Sequence, residues 1–371
     1  MNRKITIYLI SIFCLTACID QTPFEFEEGN YLIVDGEVSD LEEVYSVSIA
    51  KFNGDNTVPV ESATVSILEN NATEYQLTHK TQGIYETEFG EFTGKVGSTY
   101  QLTIELKNGS KFQSTVEEMQ PNYGLDSVNW EEFEEPFISN GAQVERSVVN
   151  LKVNSKRRNT QGEVFYRYRF FGTFYIETTP QAASNGECDI NPPNCSGWVN
   201  NAENPNDCEL VKTSECLCCE CWVTEFSDQV YVTSSEEQDP VTNFNAGRIP
   251  VTSFRFEPKY HFTVQQLSLT ENAYNFFSLV NEMEDNAGSL FSPSPSSIAG
   301  NIVQTEGEDL PVYGLFTAYS IEEKSQFIYG FQIKTYSFNN PLINLIVESF
   351  NPYIDCRAAF ENSSTTRPDF W

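Results

Sequence analysis

The chain has 371 residues, of which 53 are acidic and 22 basic, giving a formal net charge of −31 at neutral pH. A surface this acidic repels nucleic acid and anionic lipid, which excludes DNA- and RNA-binding roles and electrostatic attachment to a bilayer. The length suits two domains, and the 10 cysteines make the redox compartment the first question.

At the amino terminus Arg3 and Lys4 precede an apolar run, Ile5–Phe13, and then Leu15-Thr16-Ala17-Cys18. The run is shorter than the roughly 18 to 20 residues a membrane span needs. The arrangement resembles a bacterial lipoprotein signal, in which small residues precede the cleaved bond and the new terminal cysteine carries acyl chains such as palmitate. Residues 1–17 are therefore read as a signal peptide and Cys18 as the lipidation site. Cleavage discards Cys14, Arg3 and Lys4, leaving 20 basic against 53 acidic residues and a formal charge of −33. Residues 18–30 are acidic and aperiodic, as expected of a lipidated tether.

Residues 31–118 read as a first all-β domain. Tyr45, Val47 and Ile49 alternate with polar residues, as do Tyr100, Leu102, Ile104 and Leu106, the pattern of a half-buried antiparallel sheet. Asn108-Gly109 between apolar runs marks a tight hairpin. The segments Val58–Ile67, Gly83–Tyr85 and Gly97–Ile104 are similar to the transthyretin-like or carboxypeptidase-regulatory type of β-sandwich, which implies a fold and no chemistry.

Residues 119–371 read as a second, larger antiparallel β domain. The acidic cluster Glu131–Glu135 is expected as a solvated loop near the join rather than a hydrolase carboxylate pair. Arg146–Val153 and Glu163–Ile176 are expected to form a hairpin through Lys156–Gly162. In the second of these strands Tyr166, Tyr168 and Phe170 share one face, while Phe165, Arg167, Arg169 and Phe171 share the other. Aromatic residues on both faces imply cover on both sides. Arg167 and Arg169, with Tyr166 and Tyr168, are candidates for a recess that takes an anionic or planar ligand; pairing with nearby acids is the alternative. Ser268-Leu269-Thr270-Glu271 fits a capping box before an amphipathic helix at about 269–284. Val312–Tyr319, Gln326–Lys334 and Leu342–Glu348 are expected to complete this domain.

With Cys14 lost and Cys18 acylated, eight cysteines remain. Cys188, Cys195, Cys208, Cys216, Cys218, Cys219 and Cys221 crowd into an aperiodic insertion, 180–222, and Cys356 stands alone. A segment unable to build an apolar core needs covalent staples, which an oxidising compartment permits. Parity then requires one cysteine of the insertion to reach Cys356 if all pair, and neighbouring Cys218 and Cys219 should take separate partners. The competing reading is a thiolate metal site on Cys216, Cys218, Cys219 and Cys221, but its spacing is tighter than structural zinc favours. No metal and no cofactor is expected.

Several segments taken together are similar to one Bacteroidota lipoprotein family. They are Leu32–Val38, Pro59–Ile67, Leu125–Val128, Asn272–Phe277, Gly288–Ile302, Tyr313–Ala318 and the terminal Pro368-Asp369-Phe370-Trp371. The family is named domain of unknown function 4249. The resemblance implies a mainly β outer-membrane or cell-surface lipoprotein, commonly encoded beside a SusC-like TonB-dependent receptor, with no catalytic residues. Asp126-Ser127-Val128 also resembles the O-glycosylation signal of that phylum, on Ser127. With only His79 and His261 present, and no hydrolase, nucleotide or metalloprotease fingerprint, the expectation is a non-enzymatic binding accessory to nutrient uptake. A structural or adhesive envelope protein is the alternative, and a carboxylate-dependent hydrolase a remote one. Ligand and membrane face stay open.

Overall fold

The structure, a computed structural model, describes residues 30–54, 56–139, 142–158, 162–182, 192–200, 210–285, 300–336 and 350–371. The expectations for Cys18, the tether, Cys188, Cys208 and the Leu342–Glu348 strand lie outside these residues.

The protein is mainly β. In chain order the strands are β1 (Tyr31–Ser39), β2 (Ser46–Phe52), β3 (Thr57–Pro59), β4 (Ala63–Glu69), β5 (Thr73–Thr81), β6 (Ile84–Glu86), β7 (Thr99–Leu106), β8 (Lys111–Ser114) and β9 (Glu117–Glu118). There follow β10 (Leu125–Ser139), β11 (Ala142–Ser155), β12 (Phe165–Glu177), β13 (Trp198–Asn200), β14 (Leu210–Lys212), β15 (Glu220–Phe226), β16 (Tyr231–Ser234), β17 (Phe244–Pro250) and β18 (Lys259–Leu269). After helix α1 (Glu271–Asp285) come β19 (Ile302–Glu306), β20 (Val312–Tyr319), β21 (Ile321–Tyr329) and β22 (Ser363–Ser364).

The first lobe is a sheet in the order β19-β8-β7-β4-β5-β6-β2-β1-β20, with β3 on β2 and β9 on β7. It curls around one apolar core that includes Leu32, Val47, Ile49, Ile67, Leu102, Ile104 and Phe316. Alternation places these side chains inward, and each fully buried one contributes roughly 1.5 to 3 kcal/mol. Gly109, at φ 86°, closes the β7–β8 hairpin, a left-handed position that Asn-Gly turns supply cheaply.

The second lobe is a sandwich. A sheet β10-β11-β17 faces a sheet β21-β18-β12-β15-β22 that also carries β16, and Leu151, Val153, Tyr168, Phe174, Phe262 and Val264 fill the space between them.

Several expectations are corrected here, the smallest being that the Gln326–Lys334 strand ends at Tyr329 and gives way to short 3-10 turns. β11 and β12 are not a hairpin: β11 pairs with β10 and β17, whereas β12 pairs with β15, β16 and β18. The connection between them is far longer than a two-residue hairpin turn and passes from one layer to the other, roughly 10 Å apart in a face-to-face sandwich. Glu131–Glu135 is not a loop but the middle of β10. Its charges are met by Lys152 on Glu131 at 2.9 Å, by Arg146 and Arg248 on Glu135, and by Ser147 and Thr335 on Glu132.

The last correction concerns Val312–Tyr319, which joins the first lobe. As β20 it runs parallel to β1, pairing Leu32 with Val312 through Ser39 with Tyr319. Gly314, at φ 121°, permits this approach, since a Cβ there would collide with the Val34 carbonyl. The chain re-enters the second lobe at buried Ser320. Its Oγ and that of Ser268 both donate to the Gln120 carbonyl at 2.7 Å, tying three crossings together. The helix lies at this junction, where Ala273 and Phe277 pack with Leu267, Leu315 and Tyr319. Its cap is Thr270, whose Oγ1 accepts from Ala273 N at 3.3 Å; Ser268, expected in that role, serves the crossing.

Candidate functional site

β12 alternates, so its two faces do different work. Tyr166, Tyr168, Phe170 and Phe174 enter the sandwich core. Tyr168 Oη donates to Gln266 Oε1 at 3.0 Å, and Gln266 Nε2 in turn donates to Asn122 Oδ1 at 2.7 Å. Burial pushes the Tyr166 phenol up to about 12 and raises Tyr168 as well. The expected recess therefore loses both tyrosines, since a period of two points them away from Arg167 and Arg169.

The opposite face of β12 meets the first lobe and the helix. Phe165 packs on Tyr274 of α1 with ring centroids 4.8 Å apart. Arg167 lies over the Phe277 ring at 4.1 Å. Arg169 donates to Glu37 of β1 at 3.0 and 3.4 Å, donates to Gln265 Oε1, and lies over the Tyr319 ring at 5.5 Å. Gln265 passes the contact on to Glu323 of β21. One strand thus presents an aromatic ring and two guanidiniums to the seam between lobes.

The electrostatics separate the two arginines. Burial opposes the charge of Arg169, but Tyr319, Glu37 and Glu43 around it outweigh that and hold its pKa above the ordinary value. Burial would likewise raise Glu37, yet Arg169, the nearby Tyr319 hydroxyl and Arg167 together hold it below the usual 4.5. For Arg167 burial wins and lowers the pKa, despite Tyr319, Glu37 and Asp35 nearby. Asp35 is accessible at the rim while its surroundings desolvate it, a combination that a cleft produces. That desolvation and Glu37 raise its carboxyl, and Arg167 opposes them.

Beside Phe165 lie two adjoining hollows of about 300 and 330 Å³, whose shared lining is Glu163, Phe165 and Glu271 and which neither arginine lines. Glu236, Glu237 and Tyr274 line the first of them, and Tyr123 the second. A larger hollow of about 360 Å³ by Ala63 and Leu106 is an open dip on the first lobe, away from these groups.

The cysteines form no thiolate centre among the described residues. Cys195 bonds Cys218, Cys216 bonds Cys219, and Cys221 bonds Cys356. The cluster of Cys195, Cys218 and Asp355 has ligand-type atoms within 4.8 Å of one another, but its two sulfurs are spent on each other. Ser127 sits in β10 with its Oγ accepting from Asn154 Nδ2 at 2.9 Å. His79 packs on Tyr85 at 5.1 Å, and His261 stacks on Phe370 at 4.1 Å, where burial and Lys259 lower its pKa.

Sequence reading found the arginines but missed Glu37, Tyr319 and Phe277, because these come from β1, β20 and α1, distant in the chain. The one available signal was Asp35-Gly-Glu37, two carboxylates on a single face of an otherwise apolar strand. A family model described as "Domain of unknown function (DUF4249)" matches residues 19–325. No curated protein matches the chain.

Proposed function

This chain belongs to the family described as a domain of unknown function (DUF4249), and from that premise we propose that it is a lipid-anchored, non-enzymatic binding protein of the outer membrane. In this reading Cys18 carries the acyl chains and the two-lobed β body binds on behalf of a TonB-dependent receptor, its substrate or both. The observation that carries the proposal is a lipoprotein-type signal, Leu15–Cys18, ahead of a body whose β12 presents arginine and aromatic side chains to an interlobe seam. The receptor assignment rests on what the family resemblance implies.

Two measurements test the proposal. Metabolic labelling with a fatty-acid analogue should mark the protein and fail with Cys18→Ser. Tagged protein, expressed at its native level, should carry a TonB-dependent receptor with it from outer membranes. Labelling without a receptor would leave an anchored protein and remove the transport role.

An adhesive role has its own support. Phe327, Tyr329 and Phe331 alternate along and just beyond the edge strand β21, and Phe331 is 86% exposed. Tyr329 stacks on Phe331 at 5.6 Å, and Lys259 lies 4.3 Å over Phe327. Surface attachment that falls on Phe331→Ser, with nutrient uptake unchanged, would favour this second reading.

A further inference from the structure

Buried polar atoms in folded proteins nearly always have a partner in protein, ordered water or ligand. At the interlobe seam Arg167 Nε, Thr317 Oγ1 and Tyr319 Oη are buried and have none among the described residues. Arg167 and Tyr319 lie close enough to interact electrostatically. Thr317 and Tyr319 are two residues apart on β20, hence on one face, and Leu315 and Tyr319 of that face pack with Phe277 of the helix. Arg167 reaches the same place from β12, stacked on Phe277. Thr317 pairs in register with Glu37 of β1, so the carboxylate that binds Arg169 runs alongside.

The charges do not cancel locally. Glu37 is committed to Arg169 at 3.0 Å. The Tyr319 hydroxyl lies beside Glu37 without reaching hydrogen-bond geometry. Asp35 stays at the exposed rim. Arg167 therefore makes no contact ion pair among the described residues and feels Asp35 and Glu37 only at longer range, an arrangement that is costly where water is scarce.

We infer that the seam is a receptor for one small carboxylate, held by Arg167 Nε, Thr317 Oγ1 and Tyr319 Oη. All three groups donate, and an ionised carboxylate is acceptor-only, so donor and acceptor inventories match. Hydrogen bonds from a guanidinium to a carboxylate are charge-assisted and roughly twice as strong as neutral ones. A cation is repelled by Arg167. A multiply charged anion is opposed by Asp35 and Glu37 at the rim, which selects a single negative charge. The assignment extends the binding role proposed above and rests on it only for biological purpose. Receptor recovery and carboxylate binding can each fail without the other.

The test is isothermal titration calorimetry on the full chain in a neutral maltoside detergent, at fixed ionic strength, with acetate in one arm and inorganic phosphate in the other. Acetate should bind saturably at one site and phosphate more weakly. Arg167→Met should abolish the acetate signal. Thr317→Val keeps shape and charge while removing one donor, and it should weaken acetate roughly 10-fold. The same variant carries the test if Arg167→Met fails to fold. Acetate heats that never saturate, or that persist unchanged in Thr317→Val, would overturn the assignment. So would tighter binding of phosphate than of acetate. A seam holding only ordered water in a high-resolution crystal structure grown with acetate would do the same.

Discussion

The first lobe and the cysteine-rich insertion meet the entropy cost of ordering a chain in opposite ways. Between Tyr31 and Glu118 there is no cysteine, and Leu32, Val34, Val47, Ile49, Ile67 and Leu102 are completely buried. In the insertion the β13–β14 ribbon exposes Val199 and Val211, and Leu217 is 72% exposed. A two-stranded ribbon alone is marginal in water. Where alternation supplies apolar area, area stabilises; where it does not, the denatured chain is constrained by bridges. Cys221, Cys218 and Cys356 are fully buried at the foot of the insertion, so the covalent links also knit it to the sandwich core.

The sharpest way to break this comparison is to cut the longest bridge. Cys221–Cys356 spans 135 residues, for which the chain-entropy relation gives about 5 kcal/mol. Replacing both cysteines by serine should lower urea stability by about that amount. Amide exchange should rise first at Cys356 N, bonded to the Cys218 carbonyl at 3.0 Å, and at Thr178 N, bonded to Cys219 at 2.7 Å. Protection in the first lobe should be retained. Simultaneous loss of protection in β7 would show that the two regions are not energetically distinct.

Leu102→Ala is the converse experiment. It removes a fully buried side chain from the first core and should cost about 3 kcal/mol through lost transfer energy and the cavity left behind. Denaturant unfolding measures it. Exchange at β7 should accelerate while the insertion amides keep their protection.

Thr270→Ala tests the junction between the regions. It removes the hydroxyl that caps α1 and also donates to Glu117 at 2.6 Å, and should cost about 1 kcal/mol. Ser268→Ala should leave helix content unchanged by circular dichroism, because its hydroxyl serves the crossing and not the cap.

These regions also differ in how far the sequence disclosed them. The first lobe was legible because period two acts locally: Tyr45, Val47, Ile49 and Leu102 announce their own burial. Its last strand was not, since Val312–Tyr319 carries the same apolar signature whichever sheet it joins, and the parallel partner β1 lies far away in the chain. Pairing errors have that same root. Arg146–Val153 and, from Phe165 on, Glu163–Ile176 read correctly as strands, yet alternation fixes a face and not a neighbour. In the insertion, an odd number of cysteines pointed to Cys356, but nothing local distinguished Cys221 as its partner. The seam was half visible: Arg167 and Arg169 stood out as cations on an aromatic strand, while Glu37, Tyr319 and Phe277 converge only through the tertiary fold. The hydroxyls of Thr317 and Tyr319 looked like ordinary strand residues until their burial was known.

The smallest expected effect falls on the seam itself, and it asks whether the two lobes unfold together. Glu37→Gln removes the carboxylate that pairs with Arg169 but keeps the side-chain volume. The Glu37 side chain is 41% exposed, so solvent screening reduces the pair to about 0.5 kcal/mol. Its sign with pH follows from the lowered pKa of Glu37 in the folded state. A carboxyl held below its unfolded value adds stability that is fully present above about 4.5 and is lost as pH falls through the lower folded value. The stability difference between the parent chain and Glu37→Gln should therefore be constant at neutral pH and vanish in acid. If the lobes are coupled mainly through this seam, calorimetry of the variant should broaden toward two transitions. If the apolar junction of Leu267, Leu315 and Phe277 does the coupling, one transition remains, displaced slightly downward.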